Sequence, residues 1–247
     1  IGILWLTEAI HITITALLVP VMAVLLAMPM ASDGGLVPIT TQAALATFAD
    51  PVIFLFFGGF ALATALHIQK LDRKIAMWII SMSGGHLGIS VLAIFVVTAL
   101  LSMWISNTAT AAMMLPLALG LLSHLDVSKD RKTFVFILLG IAYSASIGGL
   151  GTMVGSPPNA IAAKALGYDF ADWMKIGLPM MFIILPAMLV SLYLVLRPKL
   201  NHKVQFVTED IPWTGTRIAT MILFLCTAIA WIFSKKFFGF YKFIENT

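Results

Sequence analysis

The sequence predicts an all-α protein that crosses a membrane several times. Of its 247 residues, 60% are hydrophobic and only 11% are charged, and the mean hydropathy is +1.01. A soluble domain is usually about 45–50% apolar and about 25% charged. Apolar runs long enough to cross a bilayer as helices recur along the chain, without the alternating pattern of a barrel strand. These runs lie at 8–28, 52–68, 88–122, 133–166, 174–196 and 215–234.

The charges between the apolar runs predict the orientation in the membrane. Basic residues cluster in the connectors 70–74, 129–132 and 197–203. The positive-inside rule therefore places these three connectors in the cytoplasm. The connectors 31–36 and 168–172 are neutral or acidic and fall outside. Short basic connectors also explain the net charge of +4, so we expect no binding to nucleic acid.

The run 88–122 has cytoplasmic connectors on both sides, so it must cross twice or turn back within the bilayer. Ser106, Asn107 and Thr108 divide it into arms of roughly 15–18 residues, whereas a full crossing needs about 20. We therefore predict a re-entrant helical hairpin with these polar residues at its tip. Such a tip is tolerated at membrane depth where it is buried in protein or lines a cavity.

The run 133–166 must cross outward and is too long for one straight helix. Gly155 and Pro157 interrupt it, because proline removes a backbone donor and disfavours helix in the residue before it. The sequence predicts a helix, an unwound loop within 148–159, and a second half-helix from about Asn159. Two broken helices indicate a binding site near the bilayer midplane.

The hairpin tip suits a cation and an anion side by side. Carbonyl oxygens at the end of the first arm, with the side-chain oxygens of Ser102, Ser106 and Asn107, suit a hard cation such as Na⁺. The N–H groups that begin the second arm, with the Thr108 hydroxyl and the Asn107 amide, suit a carboxylate. In the second break, glycines let the backbone approach an ion and prolines leave carbonyls free of helical bonds.

Structural alternatives remain open for each of these features. Serine and threonine often bond back to their own helix, and Gly151 and Gly155 form a GxxxG pair that suits helix packing. Glu8 and His11 are expected one helical turn apart and are the candidates for proton coupling, while His67 is expected at a helix end. No Ser-His-Asp, HExxH or Cys/His cluster appears, so the sequence does not predict an enzyme.

These motifs resemble those of the divalent anion–sodium symporter family, the INDY-type dicarboxylate carriers. Residues 106–108 are similar to the family's Ser-Asn-Thr hairpin signature, and 148–159 to its partner loop. Further similarity covers 8–11, 57–64 and 71–74. The resemblance is to the N-terminal repeat of the bacterial Na⁺/succinate-type members. The family carries two copies of each motif and this sequence shows one, so we expect a fragment that lacks the second repeat.

The resemblance implies a Na⁺-coupled symporter of C4-dicarboxylates such as succinate. It implies an inverted-repeat, elevator-type carrier that works as a homodimer in the inner membrane of a bacterium, in contact with lipid. The implied Na⁺ ligands are Ser102, Ser106, Asn107 and Gly155, and the implied substrate-binding residues are Asn107, Thr108, Ser156 and Pro157. No Arg or Lys lies at the tip, so we expect Na⁺ to supply the positive charge for the anion.

The resemblance also implies which residue ranges belong to the scaffold and which to the moving part of the carrier. Residues 1–75 would form scaffold-type helices with a basic connector, 76–166 the transport-type hairpin and broken helix, and 167–247 further transmembrane helices with a polar connector. The alternatives are a proton-coupled anion carrier, a channel-like anion pathway and a membrane scaffold subunit. An uncharged site can accept succinate, malate, fumarate, citrate or sulfate, so the sequence leaves the anion open.

Overall fold

The computed structural model describes residues 2–32, 35–123, 125–202 and 211–234. This part of the chain is predominantly helical, which confirms the predicted all-α fold of a multi-pass membrane protein. Within the described residues, four helical segments are long and apolar enough to cross a membrane: Thr41–Ile68, Arg131–Gly151, Phe170–Leu196 and Gly215–Ile232. The chain forms two compact units, residues 1–54 and 55–247.

The first unit contains short elements. They are α1 (Gly2–Thr7), α2 (Ile12–Leu25), β1 (Pro29–Ser32), β2 (Gly35–Pro38) and α3 (Thr41–Ala46). The two strands pair antiparallel, with Pro29 opposite Pro38. The sequence did not predict these strands.

The apolar run 8–28 does not form one continuous helix. Glu8 has a φ of +48°. This left-handed conformation is unfavourable for a residue with a side chain and cannot continue a right-handed helix, so α1 ends before Glu8. The next helix starts only after His11, whose Nδ1 accepts a hydrogen bond of 3.3 Å from the N–H of Thr13. Glu8 and His11 therefore do not lie one turn apart on a helix, and the geometry expected for proton coupling between them is absent.

The second unit holds the remaining helices. They are α4 (Pro51–Ile68), which begins at the end of the first unit, α5 (Leu71–Ser81), α6 (Leu87–Ser102), α7 (Asn107–Leu122), α8 (Arg131–Gly148), α9 (Pro157–Leu166), α10 (Phe170–Leu196) and α11 (Gly215–Ile232). Helices α5 to α8 build its apolar core, with Phe95, Met114 and Ile137 among the fully buried side chains.

Helices α6 and α7 are the two arms expected for the hairpin. Each has 16 residues, and both pack against α8. At about 1.5 Å per residue each arm is about 24 Å long, shorter than the roughly 30 Å of a bilayer core. Glycines let α8 approach α6 closely: a Cβ at Gly140 would lie 2.2 Å from the Phe95 ring, and one at Gly148 would lie 2.3 Å from the Ala99 carbonyl oxygen.

The broken helix is present, with the break slightly earlier than predicted. Helix α8 ends at Gly148, a 3-10 turn follows over Gly149–Gly151, and α9 begins at Pro157 rather than at about Asn159. Proline suits the first position of a helix, because its φ is already helical and its missing N–H would have had no partner there.

Hydrogen bonds place the basic connectors at one end of the second unit. The N–H of Lys199 donates to the Thr133 hydroxyl at 3.0 Å, and the N–H of Leu87 donates to the His202 carbonyl at 3.0 Å. The Arg217 guanidinium donates to the Gln69 carbonyl at 3.0 Å. These contacts agree with a topology in which the three basic connectors lie on the same side of the membrane.

Candidate functional site

The tip of the hairpin concentrates oxygen atoms at the point where α6 ends and α7 begins. The Ser102 Oγ lies 2.7 Å from the Asn107 Oδ1 and 2.7 Å from the Ala145 carbonyl oxygen, and Ser102 is fully buried. A hydroxyl carries one proton, so it can donate to only one of these two acceptors at a time. Three converging oxygens with one shared proton suit a hard cation that neutralises the remaining lone pairs.

Gly149 lies between the hairpin tip and the break that separates α8 from α9. A Cβ at Gly149 would lie 2.4 Å from the Asn107 Oδ1, and a Cβ at Gly155 would lie 2.5 Å from the Gly149 carbonyl oxygen. The fold therefore gathers Ser102, Asn107 and Gly155 around Gly149. These are three of the four residues predicted to bind Na⁺, and their role as ligands stays a prediction.

The alternative interpretation of Gly151 and Gly155 as a GxxxG helix-packing pair is wrong. Gly151 closes the 3-10 turn and Gly155 lies in the non-helical segment before α9, so the two do not form a stripe on one α-helix. A Cβ at Gly151 would lie 2.9 Å from the Met103 side chain. Gly151 thus allows the break to pack against the hairpin tip.

Side chains that the sequence did not single out hold the break in place. The buried Asn159 donates from Nδ2 to the carbonyls of Gly149 and Thr152, at 2.7 and 2.8 Å. The Trp173 indole N–H donates to the Leu150 carbonyl at 3.0 Å. The carbonyls at these three positions therefore accept hydrogen bonds from side chains and not from helical N–H groups. A buried polar residue in an apolar segment was the sequence signal for Asn159.

A hydroxyl ties the break to the hairpin tip directly. The Thr152 hydroxyl donates to the Met103 carbonyl and accepts from the Gly155 N–H at 3.2 Å. Thr152 is fully buried. The hairpin and the break therefore form one connected site.

Neighbouring residues of the hairpin tip face different cavities. Asn107 and Thr108 line a cavity of about 600 Å³ between α7 and α8. Ser106 accepts from the Ala109 N–H at 3.3 Å, which caps α7, and lines a second cavity of about 610 Å³. The tip thus presents Ser106 to one cavity and Asn107 with Thr108 to the other.

The remaining two predicted substrate residues lie at the start of α9. Ser156 is half-buried and its carbonyl accepts from the Asn159 N–H at 3.0 Å, while Pro157 is exposed at the first helical position. The described lining of the Asn107–Thr108 cavity does not include them. Asn107 and Thr108 thus line this cavity, and the role of all four residues in substrate binding stays a prediction.

A buried acidic residue faces the second cavity. Asp72 is 2% exposed, and its Oδ2 lies 2.8 Å from the Nδ1 of His67, which is next to last in α4 as predicted. Its Oδ1 accepts from the Arg73 N–H at 2.7 Å. His67 and Asp72 line this cavity together with Ser106 and Thr110. The sequence had placed Asp72 only in a connector motif.

The described residues contain no group of three or more His, Cys, Asp or Glu side chains that could hold a metal ion. A cation at the hairpin tip would therefore be bound by neutral oxygens. Such ligands suit a weakly held, exchangeable monovalent ion better than a resident transition metal.

The sequence pattern of the citrate transporter family matches residues 3–240. An uncharacterized transporter of Haemophilus influenzae is 57% identical over 96% of this chain and 49% of its own length. An uncharacterized transporter of Methanocaldococcus jannaschii is 37% identical over 94% of the chain and 50% of its own length. A sodium-dependent dicarboxylate transporter of Staphylococcus aureus is 33% identical over 73% of the chain and 36% of its own length. The chain spans about half the length of the first two relatives.

Proposed function

The chain belongs to the citrate transporter family, and from this premise we propose that it forms the first repeat of a carrier that imports C4-dicarboxylates such as succinate with Na⁺. The likeness to a protein named as a sodium-dependent dicarboxylate transporter supports the choice of ion and anion. The proposal includes the divalent anion–sodium symporter type, the inner membrane of a bacterium, an elevator-like movement of 76–166 against scaffold helices, and a homodimer.

The observation that carries the proposal is the oxygen cluster of Ser102, Asn107 and Ala145 at the start of α7. A cation held there lies beside the first N–H groups of α7, which have no partner within the helix. Those N–H groups, with the Thr108 hydroxyl, attract a carboxylate. One Asn107 side chain therefore touches both the ion and the anion.

The charge balance of the site explains why an ion is needed. The described lining of the cavity at Asn107 and Thr108 holds no Lys, Arg or His. A dicarboxylate entering this cavity brings two negative charges that the protein does not neutralise, which is costly away from water. Bound Na⁺ supplies positive charge at the tip, so the anion binds when the ion is present.

Uptake of labelled succinate by the full-length protein tests this proposal. We expect uptake in NaCl and little in choline chloride, and we expect Asn107→Ala or Thr108→Ala to abolish the Na⁺-dependent part. Ser123→Ala is the matched control, because the exposed Ser123 hydroxyl donates to the Gly120 carbonyl at the other end of α7. Equal uptake in both salts would refute the coupling, and wild-type uptake by both variants would refute the site.

Two further parts of the proposal have direct tests. Competition by malate, fumarate, citrate and sulfate ranks the anions, and we expect the C4-dicarboxylates to compete best. Light scattering of the full-length protein in detergent measures its mass, and a monomer would refute the dimer.

The His67–Asp72 pair favours a second candidate function, a proton-coupled anion carrier. Asp72 is buried and lines the same cavity as Ser106 at the hairpin tip, so in this alternative it would pass protons between the cytoplasmic side and the tip. An acid-outside gradient in Na⁺-free buffer should then drive uptake, and Asp72→Asn should stop it. Asp126→Asn, at a half-exposed carboxylate in a connector, is the control. No response of uptake to the gradient would exclude this candidate.

A further inference from the structure

The break between α8 and α9 is held open by donors from outside its own backbone. Carbonyls in the last turn of a helix have no helical N–H partner and must find another. Here the Asn159 carboxamide supplies two donors, to Gly149 at 2.7 Å and to Thr152 at 2.8 Å, and is 4% exposed. A carboxamide nitrogen has two protons, so both are used within the break.

We propose that Asn159 is a positioning residue that sets the affinity of the hairpin tip for its coupling ion. This inference rests on the proposed function, since it assumes that the ion lies at the tip. Asn159 acts by fixing the Gly149 carbonyl, and Gly149 in turn is the surface against which the Asn107 Oδ1 packs. Loss of the hydrogen bond to Gly149 lets Gly149 shift, and Asn107, which packs against it, shifts with it.

The second hydrogen bond of Asn159 extends this control to the other side of the site. It fixes the Thr152 carbonyl, while the Thr152 hydroxyl holds the Met103 carbonyl of the hairpin tip and the Gly155 N–H. One amide therefore orients Gly149 and, through Thr152, Gly155. Groups that orient ion ligands without touching the ion commonly change its affinity about 10–100-fold when removed.

The same contacts indicate which backbone carbonyl of the break is able to bind the proposed ion. The carbonyls of Gly149, Leu150 and Thr152 each accept a hydrogen bond from Asn159 or Trp173. A carbonyl that already accepts a hydrogen bond is a weaker ligand for a cation. This favours Gly155, which folds back on Gly149, as the residue of the break that contributes a carbonyl.

Substituting Asn159 separates positioning from simple packing. Asn159→Asp keeps the shape but removes both donors and places negative charge beside two carbonyl oxygens, whereas Asn159→Ser retains one donor. Trp173→Phe removes the donor to Leu150 and keeps an aromatic ring. The matched control is Asn201→Asp, at an exposed asparagine of the connector.

The assay uses the full-length protein and measures the NaCl concentration that gives half-maximal succinate uptake, with choline chloride keeping the ionic strength constant. We expect Asn159→Asp to raise this concentration about 10–100-fold, Asn159→Ser and Trp173→Phe to raise it less, and Asn201→Asp to leave it unchanged. Rates at saturating NaCl should recover. The rise in melting temperature on adding NaCl should shrink in the same order.

The outcomes separate this inference from the function on which it rests. A wild-type protein that responds to NaCl in neither uptake nor melting would overturn both. If Asn159→Asp and Asn159→Ser respond to NaCl as the wild type does and differ only in a lower melting temperature in choline chloride, this inference is overturned and the proposed function is not. If Asn159→Asp is absent from the membrane, Asn159→Ser and Trp173→Phe decide by the same measurement.

Discussion

Gly149→Ala tests the idea that the hairpin tip and the helix break form one ion site. The backbone at Gly149 is ordinary right-handed helix, with φ −56° and ψ −19°, so alanine costs no backbone strain. The only conflict is steric, since the new Cβ would lie 2.4 Å from the Asn107 Oδ1. An ordinary contact starts at 3.4 Å, so the oxygen must move by about 1 Å. That movement breaks its 2.7 Å contact with Ser102.

The expected effect of Gly149→Ala is large on ion affinity and small on stability. Asn107 can rotate away at the cost of one hydrogen bond, about 0.5–1.5 kcal/mol. Displacing an ion ligand by about 1 Å should raise the half-saturating Na⁺ concentration about 10–100-fold. Melting curves in NaCl and choline chloride, with Na⁺-dependent succinate uptake by the full-length protein, measure the two effects separately.

Gly120→Ala is the control for this prediction. Gly120 lies in α7, where an added Cβ would meet nothing within 4 Å. Alanine there should stabilise the helix by about 0.5–1 kcal/mol and leave the Na⁺ dependence unchanged. A Gly149→Ala protein with wild-type Na⁺ dependence would refute the reasoning, because it would mean that Asn107 does not need its observed position.

Three further predictions concern stability. Gly140→Ala should lower the free energy of unfolding by about 1–3 kcal/mol, since its Cβ would overlap the buried Phe95 ring, and an unchanged melting temperature would contradict this. Ser106→Ala should cost about 1 kcal/mol through the lost helix cap, and a loss greater in NaCl than in choline chloride would identify Ser106 also as an ion ligand. The Ser128 hydroxyl and backbone N–H lower the pKa of Asp126, so Ser128→Ala should raise that pKa in a carboxyl NMR titration. Since the folded-state pKa of Asp126 is lowered, the stability from its contact with Ser128 is present above the ordinary pKa of Asp and is lost as the pH falls through the folded-state value. An unchanged Asp126 titration in Ser128→Ala would contradict Ser128 as the cause of the lowered pKa.

Elements that depend on composition and connector charge were predictable from the sequence. The apolar runs gave α4, α10 and α11 to within a few residues, because a bilayer-spanning helix needs a continuous apolar stretch. The charges on both sides of 88–122 required an even number of passes or a turn, and the polar triplet marked the position of that turn. The start of α7 at Asn107 follows from the capping serine before it.

The rest depends on contacts that local pattern does not encode. The left-handed backbone at Glu8 and the pairing of β1 with β2 arise from a few residues whose composition is compatible with helix. Trp173 reaches the Leu150 carbonyl 23 positions away, and only the folded path of α10 brings them together. The burial of Asp72 likewise depends on how α4 and α5 lie against α7.

The orientation of the Asn107 amide couples ion and substrate in the proposed function. In the structure the Ser102 hydroxyl donates to Oδ1, an orientation that leaves Nδ2 to donate to a carboxylate. In the proposed function a bound cation favours this orientation, because the reverse one, with Nδ2 donating to the Ser102 hydroxyl, turns Oδ1 away from the ion and removes the donor from the substrate. By linkage, substrate must then raise the Na⁺ affinity by the factor by which Na⁺ raises that of substrate.

Asn107→Asp tests this coupling because it keeps a side-chain oxygen at position 107 and removes the amide N–H donors. The carboxylate keeps an oxygen toward Ser102 and adds negative charge, so thermal stabilisation by NaCl should persist or increase. It has no donor for the substrate and repels a dianion, so succinate should add no stabilisation at any NaCl concentration. Succinate stabilisation like that of the wild type would show that the Asn107 donor is not used. Loss of the NaCl stabilisation would show that an oxygen at position 107 is not enough to hold the ion.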